Sequence, residues 1–194
     1  MSTRRDHRDA DGFMAMLGEA DAALDEGLEA GIRGLVDCVT RSMTVGGAGI
    51  MLADQYRVLR SSAATSAAGR LLQTGQERLG AGPAIDSFDR SLPVSSSDIR
   101  VDDRWPDLRY LLPNAPMHAV LVTPVTLPEG PVGTLSVWRA EAGAWSLDEI
   151  TRVGGFARQA ASMLELAAHA ELRSVLLARL IRMLTPSGFP AAQN

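Results

Sequence analysis

The sequence predicts an α+β fold, a central antiparallel β-sheet flanked by helices with a long helix at the C-terminal end. Two observations carry this reading. Short apolar runs follow one another across tight turns, as in hairpins, whereas a parallel sheet needs a long crossover between successive strands. A helix-start signature at Ser146 then opens a stretch free of proline as far as Pro186.

From about Asp21 to Met43, apolar residues fall at Leu24, Leu28, Ile32, Leu35, Val36, Val39 and Met43, the spacing of an amphipathic helix that Gly46 and Gly47 end. Two strand-like runs follow, 49–53 and 57–64, with Asp54 and Gln55 as the tight turn between them. Residues 66–79 read as a helix. Pro83 opens a shorter one carrying Ile85 and Phe88 on one side, because its fixed φ suits a first turn and Gly82 tolerates an unusual backbone angle. Residues 92–97 read as a strand and 98–116 as an acidic, aromatic loop. The apolar run 117–125 is then turned back by Leu127-Pro128-Glu129-Gly130 into a strand over 132–139. Ser146 and Glu149 form a capping box, with Trp145 placed to staple on Ile150. The helix they open can reach Leu184, about 57 Å long, against a radius of gyration of about 14–15 Å for a domain of this size. Residues 1–17 read as a flexible tail, 18–168 as the folded domain, 169–184 as a helical extension and 185–194 as a second flexible tail.

Composition excludes several function classes. With 46% hydrophobic and 22% charged residues over 194 positions, the chain suits one soluble domain with tails. Net charge is −4 and no basic cluster falls on an expected element, so nucleic acid lacks its electrostatic footprint. All 19 basic residues are arginine, which removes P-loop, Schiff-base and Ser-x-x-Lys chemistry. A single cysteine, Cys38, excludes an internal disulfide and a two-cysteine metal or redox site. Its place beside the stripe of the first helix predicts a buried packing residue. The charged first residues lack the apolar stretch of a targeting peptide and no apolar run is long enough to span a bilayer, so a reducing cytoplasm is the expected setting.

Each candidate residue has a bland alternative. His118 has no second His or Cys beside it to complete a metal site, so pocket residue and packing residue stay open. Gly80-Ala81-Gly82 resembles the start of a phosphate loop, but Ile85 stands where a third glycine belongs and Pro83 removes a donor, which favours a turn. Asp86 can accept a bond from a ligand or merely suit the positive end of its helix. Asp98, Asp102 and Asp103 alternate with Arg100 and Arg104, which favours salt bridges on a solvated loop over a cation site. Trp105, Leu108 and Tyr110 on that loop must bury against the sheet, a ligand or a second chain. No Gly-x-Ser-x-Gly elbow, His-Glu-x-x-His helix or close carboxylate pair offers a catalytic mechanism.

The segments GAGPAIDSFDRSLPVSSSD, VDDRWPDL, APMHAVLVTPV and GPVGTLSVWRAEAGAWSLDE, in this order and spacing, resemble a GAF domain over roughly Leu24 to Leu166. They are similar above all to the GAF domains of bacterial antitermination (ANTAR-type) and other signalling proteins. The resemblance implies a small ligand held between the sheet and the helices and loops of one face, with output through terminal helices. It places a pocket among residues 98–116, 83–89 and 117–125. The ligand-binding candidates are then Asp86, Ser96, Asp98, Trp105, Tyr110 and His118, with no catalytic residue and no metal.

Departures narrow the ligand. The Asn-Lys…Phe…Asp-Glu signature of cyclic-nucleotide binders is absent, and Cys38 lies on the first helix, away from a bilin attachment site. Asn114-Ala115-Pro116-Met117 stands in place of the His-Pro-Pro-Met run of haem sensors, and no cofactor is expected. Free methionine sulfoxide reduction, an activity of stand-alone GAF proteins, requires a nucleophilic cysteine on the pocket loops. The expectation is a non-enzymatic regulator that senses an unidentified small molecule. The alternative is a ligand-free dimerisation or scaffold module, and third comes a degenerate free-methionine-sulfoxide-reductase-like protein. No output module follows Leu166, so a downstream signalling protein is an expected partner. A second copy is the other. Leu172, Val175, Leu176, Leu177, Leu180, Ile181 and Leu184 leave the last helix apolar over more than half its circumference, with Arg173, Arg179 and Arg182 on the wet side, and a homodimeric bundle would cover them.

Overall fold

The computed structural model of the protein describes residues 3–112 and 114–184. The chain runs α1 (Thr3–Met43), β1 (Gly47–Ala53), β2 (Leu59–Ala64), α2 (Ala67–Leu79), α3 (Pro83–Arg90), β3 (Val94–Ser96), α4 (Leu108–Leu111), β4 (Ala119–Leu127), β5 (Gly130–Arg139) and α5 (Leu147–Leu184). The strands form one five-stranded sheet in the order β2-β1-β5-β4-β3, every neighbouring pair antiparallel. The expected class is therefore correct. Two compact units share the chain: residues 30–163, which hold the sheet, and a helical unit made from the stretches up to Glu29 and from Leu164 onward.

Strand register sorts the side chains of the sheet unit into two layers. On one face Ile50 pairs with Leu135, and Ala48 and Leu121 both pair with Val137. Buried Ile32, Leu35, Val36 and Val39 of α1 and Val153, Ala157, Ala160 and Ala161 of α5 supply the rest of that layer. The two helices run close together, since a Cβ added at Gly31 would stand 2.5 Å from the Met163 methyl. On the other face lie Met51, Val120, Val122 and Trp138, buried in one cluster with Leu72 of α2, Ala84 and Phe88 of α3 and the loop residues Ile99, Trp105, Leu108, Leu112 and Met117.

Glycine makes room for the centre of that second cluster. Trp138 lies between two positions without side chains: a Cβ at Gly47 would come within 2.3 Å of its ring, and a Cβ at Gly69 within 2.3 Å as well. Close by, β1 and β2 slip register between Ile50 and Met51. Such a bulge takes backbone carbonyls out of the ladder. Buried Gln73 of α2 meets them, its Nε2 donating to Ile50 O and Ala63 O at 3.0 Å each while its Oε1 accepts from Ser61 Oγ at 2.6 Å. One turn further on, Gln76 Oε1 accepts the Ala84 N–H at 2.7 Å and so caps α3, whose own N-cap Gly82 has no side chain to do it.

The start of α5 follows its local code. Ser146 Oγ accepts the Glu149 N–H at 3.2 Å and Glu149 Oε2 accepts the Ser146 N–H at 2.8 Å, the reciprocal bonds of a capping box. The Ser146 bonds, with nearby arginines, hold the Glu149 carboxyl below its ordinary range. Arg139, the last residue of β5, pairs with Glu149 at 3.1 Å and stacks over Trp145 at 4.0 Å, tying the strand to the helix.

Elsewhere the structure corrects the sequence reading. Residues 3–17, expected as a flexible tail, are helical, since no proline precedes Pro83 to end α1. The first turn is longer than Asp54-Gln55, because Asp54 Oδ1 accepts from both Tyr56 N–H and Val58 N–H, Arg57 takes a φ of 61°, and β2 begins only at Leu59. The strand expected over 92–97 shrinks to Val94–Ser96, since the Leu92 carbonyl is taken by Ser87 Oγ at the end of α3. Cys38 is exposed, not buried: it sits about 100° round α1 from buried Val39 and contacts Ser42 instead. The tail expected over 185–194 and the side chains of Ile181 and Leu184 lie outside the described residues.

Candidate functional site

The candidate residues gather on the segment that links β3 to β4. Its one-turn helix α4 places Leu108 and Leu112 inward, and both are buried with Trp105 in the cluster beneath. Arg104 stacks on the Trp105 ring at 4.2 Å from outside. Tyr110 occupies the opposite side of that turn and is 74% exposed, so this candidate faces solvent, away from the cluster. In the region expected to form a pocket, Ile99, Leu108, Leu112 and Met117 are each at most 1% exposed. Beneath them the sheet carries hydroxyls. Ser136 Oγ donates to Gly49 O at 3.3 Å, whereas Thr134 Oγ1, next along the same face of β5, is buried with no partner.

The remaining candidates fall into two polar groups. In the first, Ser96 Oγ donates to Asp102 Oδ2 at 2.7 Å, and Arg104 Nη2 bonds the same oxygen at 2.7 Å while also reaching Ser95 O at 2.6 Å. The Arg104 guanidinium, more than the Ser96 hydroxyl, outweighs burial and holds the Asp102 carboxyl down at about 2. Asp86 lies within electrostatic range of Arg104 and pairs with Arg90 one turn along α3 at 3.6 Å. In the second group, Asp98 accepts the Arg100 N–H at 3.1 Å, and the His118 ring stands 3.1 Å from Asp98 and 2.7 Å from Arg100. Burial pushes the Asp98 carboxyl up, but the Arg100 N–H, the His118 ring and the nearby positive charge together outweigh it, so Asp98 ionises below its ordinary range.

The alternating charges pair as Arg100 with Asp98, Arg104 with Asp102 and Arg109 with Asp103. Among the described residues no group of three or more His, Cys, Asp or Glu is placed to hold a metal ion. Arg100 as the partner of His118 was missed, as were the buried glutamines and Trp138. Among the described residues no helix is long and apolar enough to cross a membrane.

A family model described as GAF domain matches residues 20–165, spanning the whole sheet and the β3–β4 segment. The chain belongs to the GAF domain family. This is a sensory, regulatory fold of signalling proteins, and solved structures share it with this chain at low identity. A domain of a two-component sensor histidine kinase protein from Sinorhizobium meliloti 1021 superposes with a TM-score of 0.63 at 16% identity, covering 75% of this chain and 95% of that one. The blue-light absorbing form of the Thermosynechococcus elongatus PixJ GAF domain gives 0.61 at 16%, covering 80% and 94%. A type II free methionine-R-sulfoxide reductase from Thermoplasma acidophilum gives 0.58 at 14%, covering 72% and 94%. No curated protein sequence matches the chain. At these identities the likeness is one of fold.

The Asp102 cluster of this GAF domain carries a pH prediction. A carboxyl whose folded value is depressed stabilises the fold above its unfolded value near 3.8, and that contribution is lost as pH falls through about 2. Asp102→Asn is expected to remove about 1–2 kcal/mol at neutral pH and to flatten the acid limb of stability against pH. Chemical denaturation in steps from neutral pH downward measures both. An unchanged acid limb would mean that the cluster adds nothing to folding.

Proposed function

We propose that this GAF domain is a non-catalytic regulatory module that acts as a homodimer, with α5 as the surface through which copies and a downstream signalling protein are engaged. The carrying observation is the distribution of apolar residues on the last part of α5. At 3.6 residues per turn, Leu164, Ala167, Ala168 and Val175 fall within one arc of about 100°, and with Leu24 and Leu28 of α1 they border one groove. Leu166, Leu172, Leu176, Leu177 and Leu180 fall on a second arc centred about 160° away, and all five are exposed. One apolar side thus borders α1, and the other is exposed among the described residues. Each leucine fully buried would contribute about 1.5–3 kcal/mol, enough for a second copy to be held there.

Absence of catalysis is supported by the place of the thiol. Cys38 stands on α1, not on the segment between β3 and β4 where sulfoxide chemistry would need it. One observation favours a second reading, small-molecule sensing: the buried, unpaired Thr134 hydroxyl lies on the sheet face that the β3–β4 segment covers.

Light scattering at tens of micromolar tests the first reading. The full chain is expected to run as a dimer, and the double variant Leu176→Glu with Leu180→Glu as a folded monomer. A monomeric parent, or a dimer indifferent to both charges, would refute the role given to α5. A thermal-shift screen against amino acids, nucleotides and haem tests the second, since a ligand at a hundred times its dissociation constant adds about 2.7 kcal/mol.

A further inference from the structure

His118 Nδ1 stands 2.7 Å from Arg100 Nη2 and 3.1 Å from Asp98 Oδ2. A guanidinium N–H can only donate and a carboxylate can only accept, so one ring nitrogen cannot satisfy both partners in the same state. It accepts from Arg100 only while it carries no proton, and it donates to Asp98 only once it has one. We propose that His118 is a proton-operated toggle: gain of a proton at Nδ1 transfers this nitrogen from Arg100 to Asp98 and resets the turn that anchors the β3–β4 segment.

The chemistry is one proton taken from solvent onto the Nδ1 lone pair. In the neutral ring the proton resides on Nε2, and Arg100 Nη2 donates to Nδ1. In the charged ring Nδ1–H donates to Asp98, while the two positive charges drive the guanidinium off the ring and leave it to the Asp98 carboxylate, which its Nε already faces at 3.5 Å.

Charged groups on the neighbouring elements do not obscure this pair. Arg139, on the paired strand β5, gives His118 only its carbonyl, which accepts the His118 N–H at 2.8 Å, and it turns its guanidinium onto Trp145 and Glu149. Asp102 and Arg104, further along the segment, are bonded to each other and to Ser96 and Ser95.

The position of the toggle gives it leverage. The Ile99 N–H donates to His118 O at 2.8 Å, and Ile99 is fully buried in the cluster under the segment. The neighbouring Ser97 carbonyl accepts the Gly143 N–H at 2.9 Å, and Gly143 lies in the connection from β5 to α5. A single turn therefore joins the proton site to the buried face and to the root of α5. Were α5 not the signalling surface, the toggle would still exist, and its test is independent of oligomeric state.

Ring ¹⁵N NMR of the full chain decides it, with His118→Gln to assign the ring among the three histidines. At alkaline pH the neutral ring is expected as the Nε2–H tautomer. On acidification Nδ1 becomes protonated, and the Arg100 side-chain and Ile99 amide signals move with the same midpoint. Asp98→Asn is expected to shift that midpoint to lower pH and Arg100→Gln to higher pH. A neutral ring found as the Nδ1–H tautomer, or Arg100 signals that ignore the His118 titration, overturns the proposal on the parent protein alone.

Discussion

Replacing Trp138 with alanine is expected to remove about 3–5 kcal/mol of stability, a fall in melting temperature of about 6–20 °C for a chain of this size. The indole is buried on the sheet, with β1 on one side and α2 on the other. Its removal opens a cavity that neither glycine can fill. The converse substitution is expected to cost as much from the opposite direction: Gly69→Val places a branched side chain where even a Cβ would stand 2.3 Å from the ring. Urea titration of both variants reads the effect. If Gly69→Val were as stable as the parent, the ring would have room to move and the packing argument would fail.

The second large effect is expected at Gln73. Gln73→Met keeps the volume of the side chain but leaves two carbonyls, Ile50 O and Ala63 O, and the Ser61 hydroxyl without their partner. A buried polar group stripped of its partner costs about 1–3 kcal/mol, and with partial relaxation the sum is expected at about 2–5 kcal/mol. Gln76→Met, which loses the single bond that caps α3, is expected to cost only about 1–2 kcal/mol. Hydrogen exchange locates the damage: β2 amides should lose protection in the first variant and the start of α3 in the second. Equal losses at the two positions would show that the bulge does not depend on Gln73.

These two positions also mark where the sequence stops being legible. The start of α5 was readable because its code is contained in four consecutive residues, Ser146 to Glu149, and the β4–β5 hairpin because Pro128, Glu129 and Gly130 name a turn by themselves. Gln73 and Gln76 carry no such local mark. Their acceptors and donors lie as far off as Ile50 and Ala84, so their roles appear only after the strands have paired. The polar groups near the candidate site behave alike. Asp98 and His118, twenty positions apart, meet because Ser96 pairs with Val120 across β3 and β4. In the loop the pattern failed differently: α4 is a single turn, too short to display a period, so nothing separated the inward Leu108 and Leu112 from the outward Tyr110. Cys38 was misplaced by one position of helical phase.

The packed side of the sheet also sets the kinetics of any response to a small molecule. A compound destined for that side must wait until Trp105, Leu108 and Leu112 have moved out of its way. Its apparent affinity is then its intrinsic affinity reduced by the fraction of molecules that stand open: if about one in a thousand does, a nanomolar interior site behaves as a micromolar one. The observed binding rate would level off at high concentration, at the opening rate of the segment and not at the rate of encounter. Were a small molecule to bind on that side, brief rises in its concentration would pass unbound, and only those that outlast the opening of the segment would be registered.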